Sequence, residues 1–365
     1  MNTYNISVQE TNPEEYKFIK CIDNNSIINF TYSNIRALID DTFDLFTSIR
    51  NEYLLVFSNL EDYNNFSLIF YDMKLQQINT KISKAHNDRI YTCRHFFDKI
   101  TCSDLIITSS FDKWIKVWNV TNYYTLIYKK RPDYDYKVNT YLLSENLLYY
   151  NQKNYLITSA YEIASQGYEI LFYNIEDKNN VNNNKICKIE NSKDNTNYLG
   201  VYYDKEIPYI ISGNLGNIKM FDFSKNKLIK IFHDQNKKVN YLRIIIKEDS
   251  YDKKFLIASS GDGNLRIWDY NSNNFITRIK SGEKWIIGLC LLNGKYILAA
   301  SADGTIKEYD LDSNILIHSL KRNVDGEEKK NDIFLGVKSI NFNNKNYLVS
   351  HSNNGLIELI FKKFG

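Results

Sequence analysis

Cysteine is scarce and follows no binding pattern. Cys21, Cys93, Cys102, Cys187 and Cys290 are odd in number, widely scattered and free of any C-x-x-C pair. That spacing argues against a disulfide framework and against a zinc module. Excess charge of one sign is missing as well: 46 Lys and Arg stand against 43 Asp and Glu, a formal charge of +3, too even to specify a nucleic-acid or anionic-membrane surface. No stretch approaches the roughly 18 apolar residues of a membrane span, and Met1–Glu10 carry no apolar signal core. A reducing compartment, cytoplasmic or nuclear, is expected. Triplets such as Asn65-Phe-Ser67 carry no weight as glycosylation acceptors without a secretory leader.

Catalytic and cofactor signatures are absent too. Gly294-Lys295 has Leu289 where the first glycine of a G-x-x-x-x-G-K-[ST] phosphate loop belongs. No G-x-S-x-G, H-E-x-x-H or EF-hand loop occurs. His86, Cys93 and His95 lie close together, but no fourth ligand is spaced beside them, so structural roles are expected of them rather than a metal site. No catalytic residue, cofactor or metal ligand is assigned.

What the chain has in quantity is aromatic side chains, 15% of all residues, chiefly 29 Tyr and 20 Phe. These favour pleated, half-buried surfaces. A unit recurs along the sequence: a β-rich run ending in small or hydroxyl residues, a tight turn often carrying Asp-Gly, an alternating strand, and an aromatic followed by Asp or Asn. The clearest copies run from Phe255 to Asp269, with the Asp262-Gly263 turn and Trp268; from Leu105 to Asn119, with Asp112 and Trp118; and from Tyr296 to Asp310, with Asp303-Gly304 and Tyr309. Weaker copies run from Tyr53 to Asp72, Tyr155 to Asn174, Tyr209 to Asp222 and Tyr347 to Phe361, making seven. The markers Asp72, Asn119, Asn174, Asp222, Asp269 and Asp310 recur at intervals of roughly 40 to 55 residues, near the period of a four-stranded propeller blade.

On these residues the chain resembles the WD-repeat family from about Ile35 to Phe361. The resemblance implies an all-β fold, a seven-bladed β-propeller of four-stranded antiparallel blades. It implies a single domain over residues 14–365 behind a flexible lead, residues 1–13. It also implies a hydrogen-bonded tetrad, and one copy has all four residue types in place: His86, Thr108, Asp112 and Trp118. A buried indole and imidazole must find partners or cost stability, so the tetrad reads as a staple rather than a nucleophile triad. Elsewhere the pattern departs: Ala258 and Ala299 replace the hydroxyl, Gly282 stands in place of the His, and Tyr309, Phe221 and Tyr173 replace Trp. The Arg-Arg-Gly motif of phosphoinositide-binding members is missing, as is the cation that follows Trp-Asp in cullin-ligase receptors.

The last copy ends near the chain terminus with no room for an outer strand. An open sheet edge is an aggregation template, so an N-terminal segment, Tyr16–Cys21 or Ile35–Ile39, is expected to close the ring. Two long polar connections, 177–185 and 322–332, are expected as solvated loops. Loops on one face are the family's usual recognition surface, which here implies Phe111, Lys113 and Trp114 in a b–c turn, Tyr161 in another turn, Lys130, Arg131 and Tyr134 in a d–a loop, and Trp285. Aromatic and Arg side chains are favoured interface anchors. The expected role is a non-enzymatic scaffold or adaptor that binds other proteins as a subunit of a larger complex. The alternatives are a polyanion binder, nucleic acid or phosphoinositide, using a patch such as Lys129-Lys130-Arg131, and a propeller enzyme with a site at the pore mouth.

Overall fold

A computed structural model of the chain describes residues 6–8, 16–23, 43–50, 52–62, 65–75, 77–131, 145–162, 167–176, 185–192, 196–233, 241–248, 253–322, 334–342, 345–352 and 356–362. Among these there is no helix. The strands form six antiparallel sheets of four and one of five. They fall into two compact units, residues 41–241 and residues 1–40 with 242–365.

The unit of residues 41–241 holds four sheets in chain order. The first is β3 (Phe43–Thr47), β4 (Tyr53–Asp62), β5 (Asn65–Asp72) and β6 (Gln77–His86). The second is β7 (Ile90–Asp98), β8 (Ser103–Ser110), β9 (Ile115–Asn119) and β10 (Thr125–Lys130). Strands β11 (Glu145–Tyr150), β12 (Lys153–Glu162), β13 (Gly167–Asn174) and β14 (Lys185–Ser192) form the third. The fourth is β15 (Thr196–Asp204), β16 (Ile207–Asn214), β17 (Ile218–Asp222) and β18 (Lys227–Phe232). Consecutive sheets pack through their middle strands. Leu54, Phe70, Ile106 and Trp118 share one cluster, and Ile107, Val117, Leu156 and Tyr173 share the next. Ile157, Phe172, Ile210 and Phe221 share a third. Strand β8 is buried along its whole length, whereas β18 is mostly exposed. Apolar residues on both faces of a middle strand are what two flanking sheets require.

The unit of residues 1–40 and 242–365 holds three sheets. One is β19 (Tyr241–Glu248), β20 (Lys254–Ser260), β21 (Asn264–Asp269) and β22 (Phe275–Lys280). The next is β23 (Ile286–Leu292), β24 (Tyr296–Ser301), β25 (Thr305–Asp310) and β26 (Leu316–Arg322), extended by β1 (Ile6–Val8) on the outer edge of β26. The last is β27 (Phe334–Phe342), β28 (Lys345–Ser352) and β29 (Leu356–Lys362), whose outer strand is β2 (Tyr16–Asp23). Of the two N-terminal candidates for that edge, residues 16–21 are therefore the paired ones, with Tyr16 opposite Lys362 and Asp23 opposite Leu356. Residues 35–39 lie outside the described residues, as do most of the two long connections. Within the lead of residues 1–13, Ile6–Val8 pair with Leu320–Arg322.

The repeat has a backbone counterpart. In six sheets the third and outer strands slip register beside the aromatic marker, at Phe70/Tyr71, Leu126/Tyr128, Phe172/Tyr173, Met220/Phe221, Ile267/Trp268 and Glu308/Tyr309. The Asp or Asn that follows then closes the turn. A side-chain oxygen accepts backbone N–H groups two or three residues on: Asp72 from Lys74 and Leu75, Asn119 from Asn122, Asn174 from Glu176, Asp222 from Lys225, Asp269 from Ser272, and Asp310 from Asp312 and Ser313. Asp and Asn recur at this position because their short side chains mimic a backbone turn.

Candidate functional site

The best-formed polar constellation lies where β6 enters β7 beside the β8–β9 turn. His86 ends β6, Thr108 lies inside β8, Asp112 sits in the turn, and Trp118 is the marker aromatic of β9. The four are joined in series. Trp118 Nε1 donates to Thr108 Oγ1 at 3.0 Å, Thr108 Oγ1 lies 2.9 Å from His86 Nε2, and His86 Nδ1 lies 3.0 Å from Asp112 Oδ2. A carboxylate only accepts, so Nδ1 carries the imidazole proton and Nε2 accepts from the Thr108 hydroxyl. Every proton then points along the chain towards Asp112, which also accepts from the backbone N–H groups of Asn87 and Trp114.

The electrostatics fit a neutral imidazole. Burial pushes the His86 pKa below its ordinary value, outweighing the pull of Asp112. Burial alone would raise the Asp112 carboxyl, but the bonds from His86, Asn87 and Trp114 hold it below the usual range. His86 and Thr108 are fully buried, so no reactant reaches the pair. The arrangement clamps two sheets and a turn together.

Other sheets solve the same problem differently. On β21, Arg266 stands opposite Ala258 as Lys116 stands opposite Thr108. Arg266 is fully buried and forks onto Asp262, Nη1 to Oδ1 at 2.9 Å and Nη2 to Oδ2 at 2.6 Å, while Nη1 also donates to Ser260 Oγ at 2.7 Å. Burial would raise the Asp262 carboxyl, but the guanidinium and its neighbours hold it well below the carboxylate range. Gly282 occupies the His position of the next sheet. A Cβ there would lie 2.3 Å from Ser301 Oγ. Asp303 in that turn accepts from the backbone N–H of Glu283 at 2.8 Å.

A second set of buried carboxylates works at the opposite ends of β7 and β8. Asp104 accepts from Ile49 N at 2.7 Å and from His95 Nε2 at 2.8 Å. Asp98 Oδ1 accepts from Asn154 Nδ2 at 2.7 Å. These bonds tie the second sheet to the first and to the third. His86 and His95 are each committed to a carboxylate, Asp112 and Asp104 respectively. Among the described residues no group of three or more His, Cys, Asp or Glu is arranged to hold a metal.

The candidate contact residues are divided between the two units. Phe111, Lys113 and Trp114 form the β8–β9 turn and are partly exposed, with Lys113 at φ +69°. Arg131 follows β10 and is exposed. Trp285, just before β23, is 39% exposed. Lys130 corrects the loop assignment: it is the last residue of β10, only 2% exposed, with its ammonium 5.0 Å from the Tyr173 ring centroid. The alternation that exposes Lys129 turns Lys130 inward. Tyr161 lies in β12 opposite Tyr168 rather than in a turn. Tyr134 lies outside the described residues.

Sequence reasoning missed Arg266, Asp104 and Lys116. For Arg266 a signal existed: a cation at the centre of an otherwise apolar strand, four residues after the turn Asp and facing an alanine. Lys116 donates to the Ala85 carbonyl and lies 5.8 Å from the Trp118 ring centroid. Two stretches, residues 79–119 and 226–269, match the family model described as WD domain, G-beta repeat. The first spans β6 to β9 with the whole tetrad; the second ends on Asp269 and contains the Arg266 fork. Among curated proteins none matches the chain.

Proposed function

From the premise that this chain is a WD-repeat protein, we propose that it is a non-enzymatic platform on which other proteins assemble, its seven sheets being successive blades of one closed ring sealed by the N-terminal strand. WD repeats are in general protein-interaction modules, and proteins built of them are typically not enzymes. The observation that carries the reading is the division of labour around the β8–β9 turn. The polar groups with catalytic chemistry, His86, Thr108 and Asp112, are tied inward, while Trp114, Lys113 and Phe111 of the same turn reach solvent. A rigid turn presenting Trp beside Arg131 suits an interface anchor, since such side chains bury much area at modest entropic loss. The nearly balanced charge speaks against a polyanion as the main partner. The scattered thiols suit a reducing cytoplasm or nucleus.

The test is affinity purification of the tagged full chain from its native source, with mass spectrometry and a nuclease-treated control. The proposal expects specific proteins recovered in near-stoichiometric amounts and insensitive to nuclease. Recovery of the chain alone, or of nucleic acid whose loss removes every protein, would overturn it.

A further inference from the structure

Beside the tetrad the sheet sets two lysines against each other, one of which, Lys116, already donates to the Ala85 carbonyl. Lys116 on β9 stands directly opposite Lys129 on β10. Like charges at opposed cross-strand positions destabilise a sheet. The two ammonium groups are bracketed by indoles, Lys129 Nζ lying 5.3 Å from the Trp114 ring centroid and Lys116 Nζ 5.8 Å from that of Trp118. Lys116 and Trp118 alternate along β9 and so lie on one face, and Trp114 stands in the turn just before that strand. Asp112 is the near carboxylate, and it already accepts from His86, Asn87 and Trp114. Burial lowers the Lys116 pKa; the attraction of Asp112, which raises it, is larger than the repulsion from Lys129, which lowers it. Lys129 is exposed.

We infer that Lys116, Lys129 and Trp114 form the contact point for an acidic segment of a partner protein, a Glu or Asp carboxylate seating between the two ammonium groups while a neighbouring apolar side chain lies on the Trp114 ring. The repulsion between the lysines is relieved when the carboxylate arrives, and the indole makes the site more than a point charge. The scale favours a protein segment over nucleic acid. A nucleic acid needs a track of phosphate contacts, whereas here one opposed pair sits in a chain whose formal charge is only +3. This inference rests on the platform reading and adds to it the chemistry of the partner.

The experiment is fluorescence anisotropy of the full chain with a short labelled peptide rich in glutamate and leucine, and with its twin carrying glutamine at every glutamate. The Glu peptide should bind, increasingly weakly as salt rises, and the Gln twin should not. Lys129→Glu should weaken the Glu peptide by at least roughly tenfold and at the same time raise the melting temperature, because it turns a repulsive pair into an attractive one. Equal binding of the twins, unchanged affinity in Lys129→Glu, or tighter binding of oligo(dT) or pyrophosphate than of the Glu peptide overturns the inference. Any of these with partner recovery still dependent on Trp114 refutes only the acidic assignment. Recovery indifferent to Trp114 refutes the platform face itself.

Discussion

Replacing Thr108 with valine removes one oxygen and almost no volume, which isolates the hydrogen-bond chain from packing. In the wild type that oxygen accepts from Trp118 Nε1 at 3.0 Å and donates to His86 Nε2 at 2.9 Å. Thr108 and His86 are fully buried and Trp118 is 6% exposed, so water does not replace the lost hydroxyl without disrupting the packing. The substitution strands one donor and one acceptor, each costing about 1 to 3 kcal/mol when buried unpaired. Thr108→Val should therefore lose about 2 to 6 kcal/mol, a large share of the roughly 5 to 15 kcal/mol that holds a typical protein folded. Thr108→Ser keeps the hydroxyl and loses a methyl, at about 1 kcal/mol. Urea unfolding followed by indole fluorescence gives both values, and faster exchange of the Trp118 Nε1 proton in the valine variant gives an independent check. If valine is tolerated better than serine, packing rather than the chain of protons dominates, and the staple argument fails.

The same physics gives further outcomes. Arg266→Ala leaves Asp262 charged in the β20–β21 turn without its fork and should cost about 3 to 5 kcal/mol in urea unfolding; a loss below about 1 kcal/mol would show that water satisfies Asp262. Gly263→Ala places a Cβ 2.3 Å from the Gly282 carbonyl oxygen at φ +77°, so it should destabilise more than the roughly 1 kcal/mol expected for a left-handed alanine without a clash. Stability should fall on acidification in two stages. Below about pH 6.5 the unfolded chain takes up the His86 proton that the folded chain resists, and below about pH 4 the depressed Asp104, Asp112 and Asp262 carboxyls lose their folded-state advantage; flat stability from pH 7 to pH 5 would contradict the first stage. Removing residues 1–40 takes β2 from β29 and β1 from β26, and the bared edges should aggregate in light scattering; a soluble truncation that melts like the full chain would count against closure by the N-terminus.

The period was legible in the sequence because one physical device repeats. An aromatic fills the space between sheets and an Asp or Asn closes the next turn, and both leave residue types at fixed spacing. The tetrad was legible for the same reason, since His86, Thr108, Asp112 and Trp118 stand at matching offsets. What depends on register was not. Lys130 reads as part of an exposed basic run until the pairing with Ile115 turns it onto Tyr173. The opposition of Lys116 and Lys129 exists only once β9 and β10 are aligned. The Arg266 fork is a substitution of one solution for another, so matching residues to the repeat pattern shows a gap at Ala258 without showing what fills it. Strand β1, three residues long, carries too little alternation to announce itself.

The most direct measurement of the central claim takes a double variant, Trp114→Ala with Arg131→Ala, and compares its melting temperature and its recovered partners with those of the wild type. Both side chains are at least partly exposed and neither belongs to the tetrad. The account predicts a melting temperature within a few degrees of the wild type, as for surface changes of about 0.5 kcal/mol, together with loss of the partners. A variant that stays folded and retains every partner would contradict it.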